Sequence, residues 1–187
     1  MLYTYIKTLL IHIFQVKIYP FNNRGGEKMI YFSTAEVDDI DSVASFRMIL
    51  LNNGKSHYGS ANNDELLKIK NHFKSWMKKN LKKDDVHIVI SKNDDEEIIS
   101  MGIGIIDNRA PVQGSLNGKS GWISSLIVHP NYRKQGLGKE TLNTLIKWFD
   151  MNYVSKIILH STKEGEFLYN KLGFLKDNEN IFIKTIY

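Results

Sequence analysis

His129-Pro130-Asn131-Tyr132-Arg133-Lys134-Gln135-Gly136-Leu137-Gly138-Lys139 decides how this chain of 187 residues is read. Just before it, Gly121-Trp122-Ile123-Ser124-Ser125-Leu126-Ile127-Val128 is β-rich and stops short of a proline. Just after it, Leu137, Thr141, Leu142, Leu145, Ile146, Trp148 and Phe149 recur at helical spacing as far as Asn152. The unit is therefore strand, glycine-bearing turn, helix. Two glycines at a helix start let the backbone come close to a ligand, and the first N–H groups of a helix have no partner inside it. Those donors, the positive end of the helix dipole and the side chains of Arg133, Lys134 and Lys139 form an anion site suited to a pyrophosphate.

Spacing narrows the choice of anion site. A Walker A loop needs Gly, four residues and then Gly-Lys-Ser/Thr, and a dinucleotide fingerprint needs G-x-G-x-x-G. Arg133-x-x-Gly136-x-Gly138 is neither. Alone, it also suits a tight strand-to-helix connection with no ligand. A second stretch adds to it: Leu159-His160-Ser161-Thr162-Lys163-Glu164-Gly165-Glu166-Phe167-Leu168-Tyr169-Asn170-Lys171-Leu172-Gly173-Phe174. Here a strand end leads into a short helix over about 163–172, expected to carry a Ser or Thr cap, and Gly-Phe returns the chain to the sheet.

Outward from these stretches, Met29 to Ala35 reads as a strand, and Glu36-Val37-Asp38-Asp39 supplies the start of a helix with Ile40, Val43, Phe46 and Leu50 on its apolar stripe. Asn63 or Asp64 is expected to cap a second helix striped by Leu66, Ile69, Phe73, Trp76 and Met77. Val86–Ser91 and Ile98–Ile106 read as a hairpin around a charged turn, with Gly102 and Gly104 marking bulges or a close backbone approach. Asp107 to Ser120 reads as a loop, Lys156 to His160 as a short strand, and Ile181 to Ile186 as a closing strand. Helices thus alternate with a run of strands, as in a mixed sheet covered on both faces.

Composition is that of a globular chain, 42% hydrophobic and 24% charged, and its length suits one domain. With no cysteine there is no disulfide framework, thiolate metal site or cysteine nucleophile. The histidines at 12, 57, 72, 87, 129 and 160 form no H-x-x-x-H pair, so no metal is expected. Met1–Phe21 is apolar, but Lys7, Gln15 and Lys17 interrupt it well below the roughly 18 residues of a membrane span. No small-residue cleavage site follows, which points to a cytoplasmic chain. Arg24-Gly25-Gly26-Glu27 is what a purine-rich ribosome-binding sequence of the AGGAGG type encodes when read in frame, and it lies just before Met29. Residues 1–28 are therefore expected to be a translated bacterial leader, or else a peripheral N-terminal extension, ahead of a single domain over 29–187. That segment carries three of the five net positive charges, so the basic balance gives little reason to expect nucleic acid. Lys78-Lys79 and Lys82-Lys83 fit the solvated end of a helix.

Taken together, the two motifs resemble the GNAT family of N-acetyltransferases over Met29–Tyr187. The first matches the family signature Q/R-x-x-G-x-G/A, and the second matches Leu-Tyr-x-x-Leu-Gly-Phe after a Leu-His-x-Ser/Thr strand end. They stand in family order, and Arg47 in Ser45-Phe46-Arg47 is similar to an arginine common in the family's first helix. The resemblance implies an α/β (α+β) fold: a mixed, mostly antiparallel sheet of about six to seven strands with a splayed central parallel pair and helices on both faces. It also implies an acyltransferase that moves an acetyl group from acetyl-CoA, as co-substrate, to a primary amine. A non-catalytic acyl-CoA-binding regulatory domain on the same fold is the other reading, and a homodimer is left open.

On that resemblance, Arg133, Lys134, Gln135, Gly136, Leu137, Gly138 and Lys139 would hold the pyrophosphate. The strands at 122–128 and 156–160 would splay, freeing backbone groups along Leu126, Ile127 and Val128, above all those of Leu126 and Val128, for the pantetheine amides. Ser161 or Thr162 would lie near the pantetheine or its thiol end, although many relatives have Asn there. Tyr169 matches the position that often serves as general acid, protonating the thiolate expelled after direct attack by the amine in a ternary complex. A phenol of pKa about 10 can protonate a thiolate whose acid is near about 8.5 only when held at hydrogen-bond distance. Packing beside Phe167 and Phe174 is the bland role open to Tyr169. No glutamate precedes the turn, only Trp122, Ser124 and Ser125, so the base is a water, one of His57, His129 and His160, or unneeded for an amine that arrives neutral. The acceptor would enter between the loops 55–62 and 107–120, where Asp107 is the lone acid. That disfavours a polycation such as an aminoglycoside and suits a small amine, an amino acid or a peptide N-terminus.

Overall fold

Period-two and helical stretches of the chain resolve, in a computed structural model, into one six-stranded sheet with helices on both faces. The structure describes residues 17–23, 26–52 and 59–178, together with 182, 184 and 186. In chain order the elements are β1 (Lys17–Asn23), β2 (Gly26–Thr34), α1 (Ile40–Leu51), α2 (Asn63–Asn80), β3 (Val86–Lys92), β4 (Ile98–Asn108), β5 (Lys119–Val128), α3 (Leu137–Met151), β6 (Lys156–Leu159) and α4 (Glu166–Lys171). The strands lie in sequence order, antiparallel except for β5 and β6. The mixed sheet with one parallel pair is the expected architecture.

Several boundaries differ from the sequence reading. Within residues 1–28, read there as a leader or a peripheral extension without assigned structure, Lys17–Asn23 forms an edge strand paired with β2, with Pro20 opposite Met29. An edge is where a strand tolerates a residue with no N–H. The loop expected over 107–120 shrinks to 109–118, because Asp107 pairs with Ser120 and Asn108 with Lys119. Asn62, one residue before the expected position, caps α2 by accepting from the N–H groups of Asp64 (2.8 Å) and Glu65 (3.1 Å). The strand expected over 181–186 lies largely outside the described residues, as does most of the loop around His57.

Each face of the sheet has its own core. Below it, Ile40, Val43, Phe46, Phe73 and Met77 of α1 and α2 meet Ile88, Ile90, Met101, Ile103 and Ile127. Above it, Leu137, Leu142, Leu145, Trp148 and Phe149 of α3 meet Val89, Ile99 and Ile123. Glycines let α3 sit close. A methyl group at Gly102 would come within 2.8 Å of Thr141, one at Gly104 within 3.0 Å of Phe149, and one at Gly121 within 2.7 Å of Phe149. Close approach to α3 is therefore what Gly102 and Gly104 provide, and Gly104 also stands where the β4–β5 register shifts. The N-terminal turn of α3 is further tied to the sheet by a buried hydroxyl chain. Ser91 and Ser100 are 2.6 Å apart, Ser100 and Thr141 are 2.9 Å apart, and Thr141 donates to the Leu137 carbonyl at 2.9 Å.

His87 of β3 lies in the upper layer, stacked 5.1 Å from the Trp148 ring. Burial pushes its pKa down to about 4. The folded state therefore resists a proton that the unfolded chain accepts below about pH 6.5, so acid favours unfolding. Stability should be fully present above pH 6.5 and fall by about 3 kcal/mol in all as the pH drops through that window to about 4. Denaturant unfolding at pH 7 and pH 5 checks this: the wild type should weaken at the lower pH, and His87→Phe should flatten the difference.

Candidate functional site

The site is built where β5 outruns its parallel neighbour. Pairing between β5 and β6 covers Ser120 to Ile123 against Lys156 to Leu159 and stops there, while β5 continues along β4 as far as Val128. At that point the β4–β5 register shifts: Ile103 faces Ser125 but Gly104 faces Ile123, so Ser124 is an extra residue, a bulge. The bulge reverses which side chains face which layer. Gly121 and Ile123 face α3 before it, whereas Leu126 and Val128 do so after it, and Ile127 turns to the core under α1.

The hydrogen-bonding edge follows the same alternation. His129 donates its N–H to the Ile99 carbonyl of β4 at 2.9 Å, so Ile127 also aims its backbone at β4. Leu126 and Val128 aim theirs the other way, into the gap left by β6. Of these groups, the Val128 carbonyl accepts from Arg133 Nε at 3.2 Å, which holds the arginine at the end of the strand.

Beyond β5, Pro130–Tyr132 makes one 3-10 turn, begun by His129, whose Nδ1 accepts the Asn131 N–H at 3.3 Å. Lys134 (φ +60°) and Gly136 (φ +89°) then take left-handed conformations, and Gly136 precedes α3. Gly136 needs to be glycine for its φ, and a methyl group there would project into open space. From Lys134 to Lys139, the backbone N–H groups have no acceptor among the described residues. Successive unpaired N–H groups through such a turn form an anion-binding concavity, and the positive end of the α3 dipole coincides with it. Arg133, Lys134, Gln135 and Lys139 are exposed around it, while the Leu137 side chain is buried beneath it.

The second motif is brought alongside by packing. A methyl group at Gly138 would touch Leu168 of α4 (3.4 Å) and Val128 of β5 (3.5 Å), so the three elements meet there. Tyr169 follows Leu168 and, like Leu126, Val128 and Tyr132, packs against the upper core. Its helix ends in a Schellman motif: Gly173, at φ +83°, donates to the Asn170 carbonyl, and Phe174 donates to that of Tyr169 at 3.0 Å. The Phe174 ring lies edge-on to Tyr169 with centroids 5.9 Å apart. At the other end, Gly165 leaves room for the phenol ring, because a methyl group there would meet Tyr169 Cε2 at 2.8 Å. Gly165 was not singled out in the sequence; a glycine four residues before the tyrosine is the signal that could have marked it.

The expected Ser/Thr cap of α4 is not formed. The helix starts at Glu166 after Gly165, and the Thr162 carbonyl accepts instead from Ser161 Oγ (2.6 Å) and the Gly165 N–H (3.0 Å). Both Ser161 and Thr162 are exposed beside the end of β6. Of the histidines named as bases, His160 lies edge-on to Trp122 at 5.0 Å across the gap, and His57 lies outside the described residues. His129 packs against Phe46 and Tyr132 while closing its turn. Asp107 is paired with Arg109 Nε at 2.6 Å. Among the described residues, no cluster of His, Asp or Glu could hold a metal, and no helix is long and apolar enough to cross a membrane.

With this geometry in place, comparison with known proteins is informative. The model of the acetyltransferase (GNAT) family matches residues 51–174. An uncharacterised N-acetyltransferase of the red alga Porphyra purpurea is 32% identical over 111 residues, a match spanning 57% of this chain and 61% of the relative. The chain thus covers about three fifths of the length of the curated relatives it matches. Among solved structures, a predicted acetyltransferase with acetyl-CoA from Clostridium acetobutylicum aligns with a TM-score of 0.73 at 20% identity, over 83% of this chain and 96% of the other. A GCN5-related N-acetyltransferase from Ralstonia eutropha aligns with a TM-score of 0.71 at 19% identity, over 84% and 98%. At these identities the likeness is one of fold.

Proposed function

The chain belongs to the GNAT acetyltransferase family, and from that membership we propose that it transfers an acetyl group from acetyl-CoA to a primary amine. One observation carries the reading. The backbone groups of Leu126 and Val128 that face the gap and the N–H row from Lys134 to Lys139 lie in succession along one strand-turn-helix unit. A ligand with amides at one end and a pyrophosphate at the other matches that succession. Leu126 and Val128 would pair with the pantetheine amides. The N–H row, with Arg133, Lys134 and Lys139, would hold the diphosphate. Ser161 and Thr162 would border the arm from the β6 side.

When bound, acetyl-CoA supplies an activated acyl carbon. The amine nitrogen bonds to that carbon and loses a proton to water, the carbon–sulfur bond breaks, and the sulfur takes a proton, so none is gained or lost overall. Tyr169 is the group in the motif that would give that proton, with its ring held between Gly165 and Phe174.

CoA release from acetyl-CoA against a panel of small amines, amino acids and peptides tests transfer. Turnover with an amine supports it, and silence across all three classes would favour a regulatory acyl-CoA-binding role. Binding is tested separately at Gly136. A Gly136→Ala variant strains a backbone at φ +89° in the middle of the turn that carries the N–H row. Affinity for acetyl-CoA should fall by about tenfold by calorimetry. Unchanged affinity would place the diphosphate elsewhere.

A further inference from the structure

We propose that Arg47 anchors an oxyanion carried by the acceptor, so that the amine acetylated at this site belongs to an acidic molecule bearing a carboxylate or a phosphate. This rests on the acetyl-transfer reading and adds the chemical class of the acceptor. Arg47 lies on α1, on the opposite face of the sheet from α3. Its guanidinium carbon sits 4.5 Å from the centre of the Phe73 ring, and its Nε donates to Ser125 Oγ at 3.4 Å. Ser125 is buried on β5, directly after the bulge and two residues past the last β5–β6 pair. The guanidinium is therefore fixed beside the opening of the splay, on the face away from α3.

No acid answers it. The two terminal nitrogens of Arg47 have no acceptor among the described residues. Burial lowers its pKa, the mark of a cation short of solvent. On α1 and at its start, Asp39 is taken by Lys92 at 2.9 Å and Asp41 by Lys74 at 2.6 Å, and at the end of β4 Asp107 is taken by Arg109 at 2.6 Å. Residues 52–62, which join α1 to α2, contain no Asp or Glu. A half-buried cation without a counter-ion is unfavourable, and a ligand that brings the anion removes that cost. With Phe73 on one face and Ser125 on Nε, the remaining donors form a planar fork, which suits two-point contact with a carboxylate or phosphate.

The test measures CoA release at saturating acetyl-CoA with matched pairs of amines. One set pairs amino acids with their α-carboxamides, and the other pairs amino-sugar phosphates with the unphosphorylated amino sugars. The acidic member of one set should be preferred by about tenfold or more in kcat/KM, and the responding set identifies the oxyanion. Arg47→Met should reduce that preference to about twofold or less, chiefly through KM, with acetyl-CoA affinity unchanged by calorimetry. Arg47→Lys, which keeps the charge and loses the fork, should fall between the two and guards against misfolding of the first variant. Equal turnover of acidic and neutral members, or a preference that survives in Arg47→Met, overturns the assignment while leaving acetyl transfer intact. No turnover of any amine by a protein that binds acetyl-CoA overturns both.

Discussion

Tyr169→Phe should lower acetyl-CoA-dependent turnover by about 100-fold while leaving acetyl-CoA affinity where it is in the wild type. The substitution removes one oxygen and nothing else from the packing. The ring still fills the space left by Gly165, still meets Phe174 edge-on, and still packs against the upper core. The N–H row at the start of α3 is untouched. A loss confined to kcat therefore reports the proton given to the leaving sulfur, because an interaction used only in the transition state leaves binding alone. Full turnover in the variant would return Tyr169 to a packing role and send the search for an acid to His160 and Ser161. Steady-state kinetics paired with calorimetry separates the two.

Gly121→Ala should destabilise the fold by about 1–3 kcal/mol, with Gly121→Val at or beyond the upper end. The new methyl group would stand 2.7 Å from the Phe149 ring, whose side chain is fully buried against the sheet and has no room to retreat. For a chain of this size each kcal/mol lowers Tm by about 2–4 °C. Thermal unfolding measures it, and Phe149→Leu in the same chain should recover part of the loss by vacating the contested space. An unchanged Tm in Gly121→Ala would mean that α3 does not sit on the sheet at this distance.

Much of this arrangement was legible in the sequence, because it is written in local patterns. The apolar stripe of α3 needed only its spacing, and the turn before it needed only two glycines between a strand and a helix. The Schellman end of α4 is contained in Leu172-Gly173-Phe174 itself. What escaped depends on neighbours distant in sequence. Ser124 cannot be recognised as a bulge until β4 is beside it, since Ser124 and Ser125 read equally well as consecutive strand residues. Lys17–Asn23 contains a proline and follows an apolar run, so nothing local distinguishes it from unpaired chain; its strand exists by virtue of β2. The start of α4 was misplaced because Ser161 and Thr162 have the side chains of a cap, whereas the carbonyl of Thr162 takes the bonds. Arg47 was noticed by resemblance alone, and its relation to Ser125 crosses 78 positions of sequence.

The extra residue in β5 also changes how substitutions along this strand should be compared. A reader who scores positions 120–128 by simple alternation will assign Ser125 and Ile127 to the same layer as Gly121 and Ile123. In the folded chain they lie in opposite layers. Variants collected from relatives, or a library built to shift acceptor preference, must therefore count odd and even positions afresh after Ser124. Diversity placed at 122 and 125 would probe the proposed acceptor side, whereas diversity at 121, 123, 126 and 128 would perturb the seat of α3.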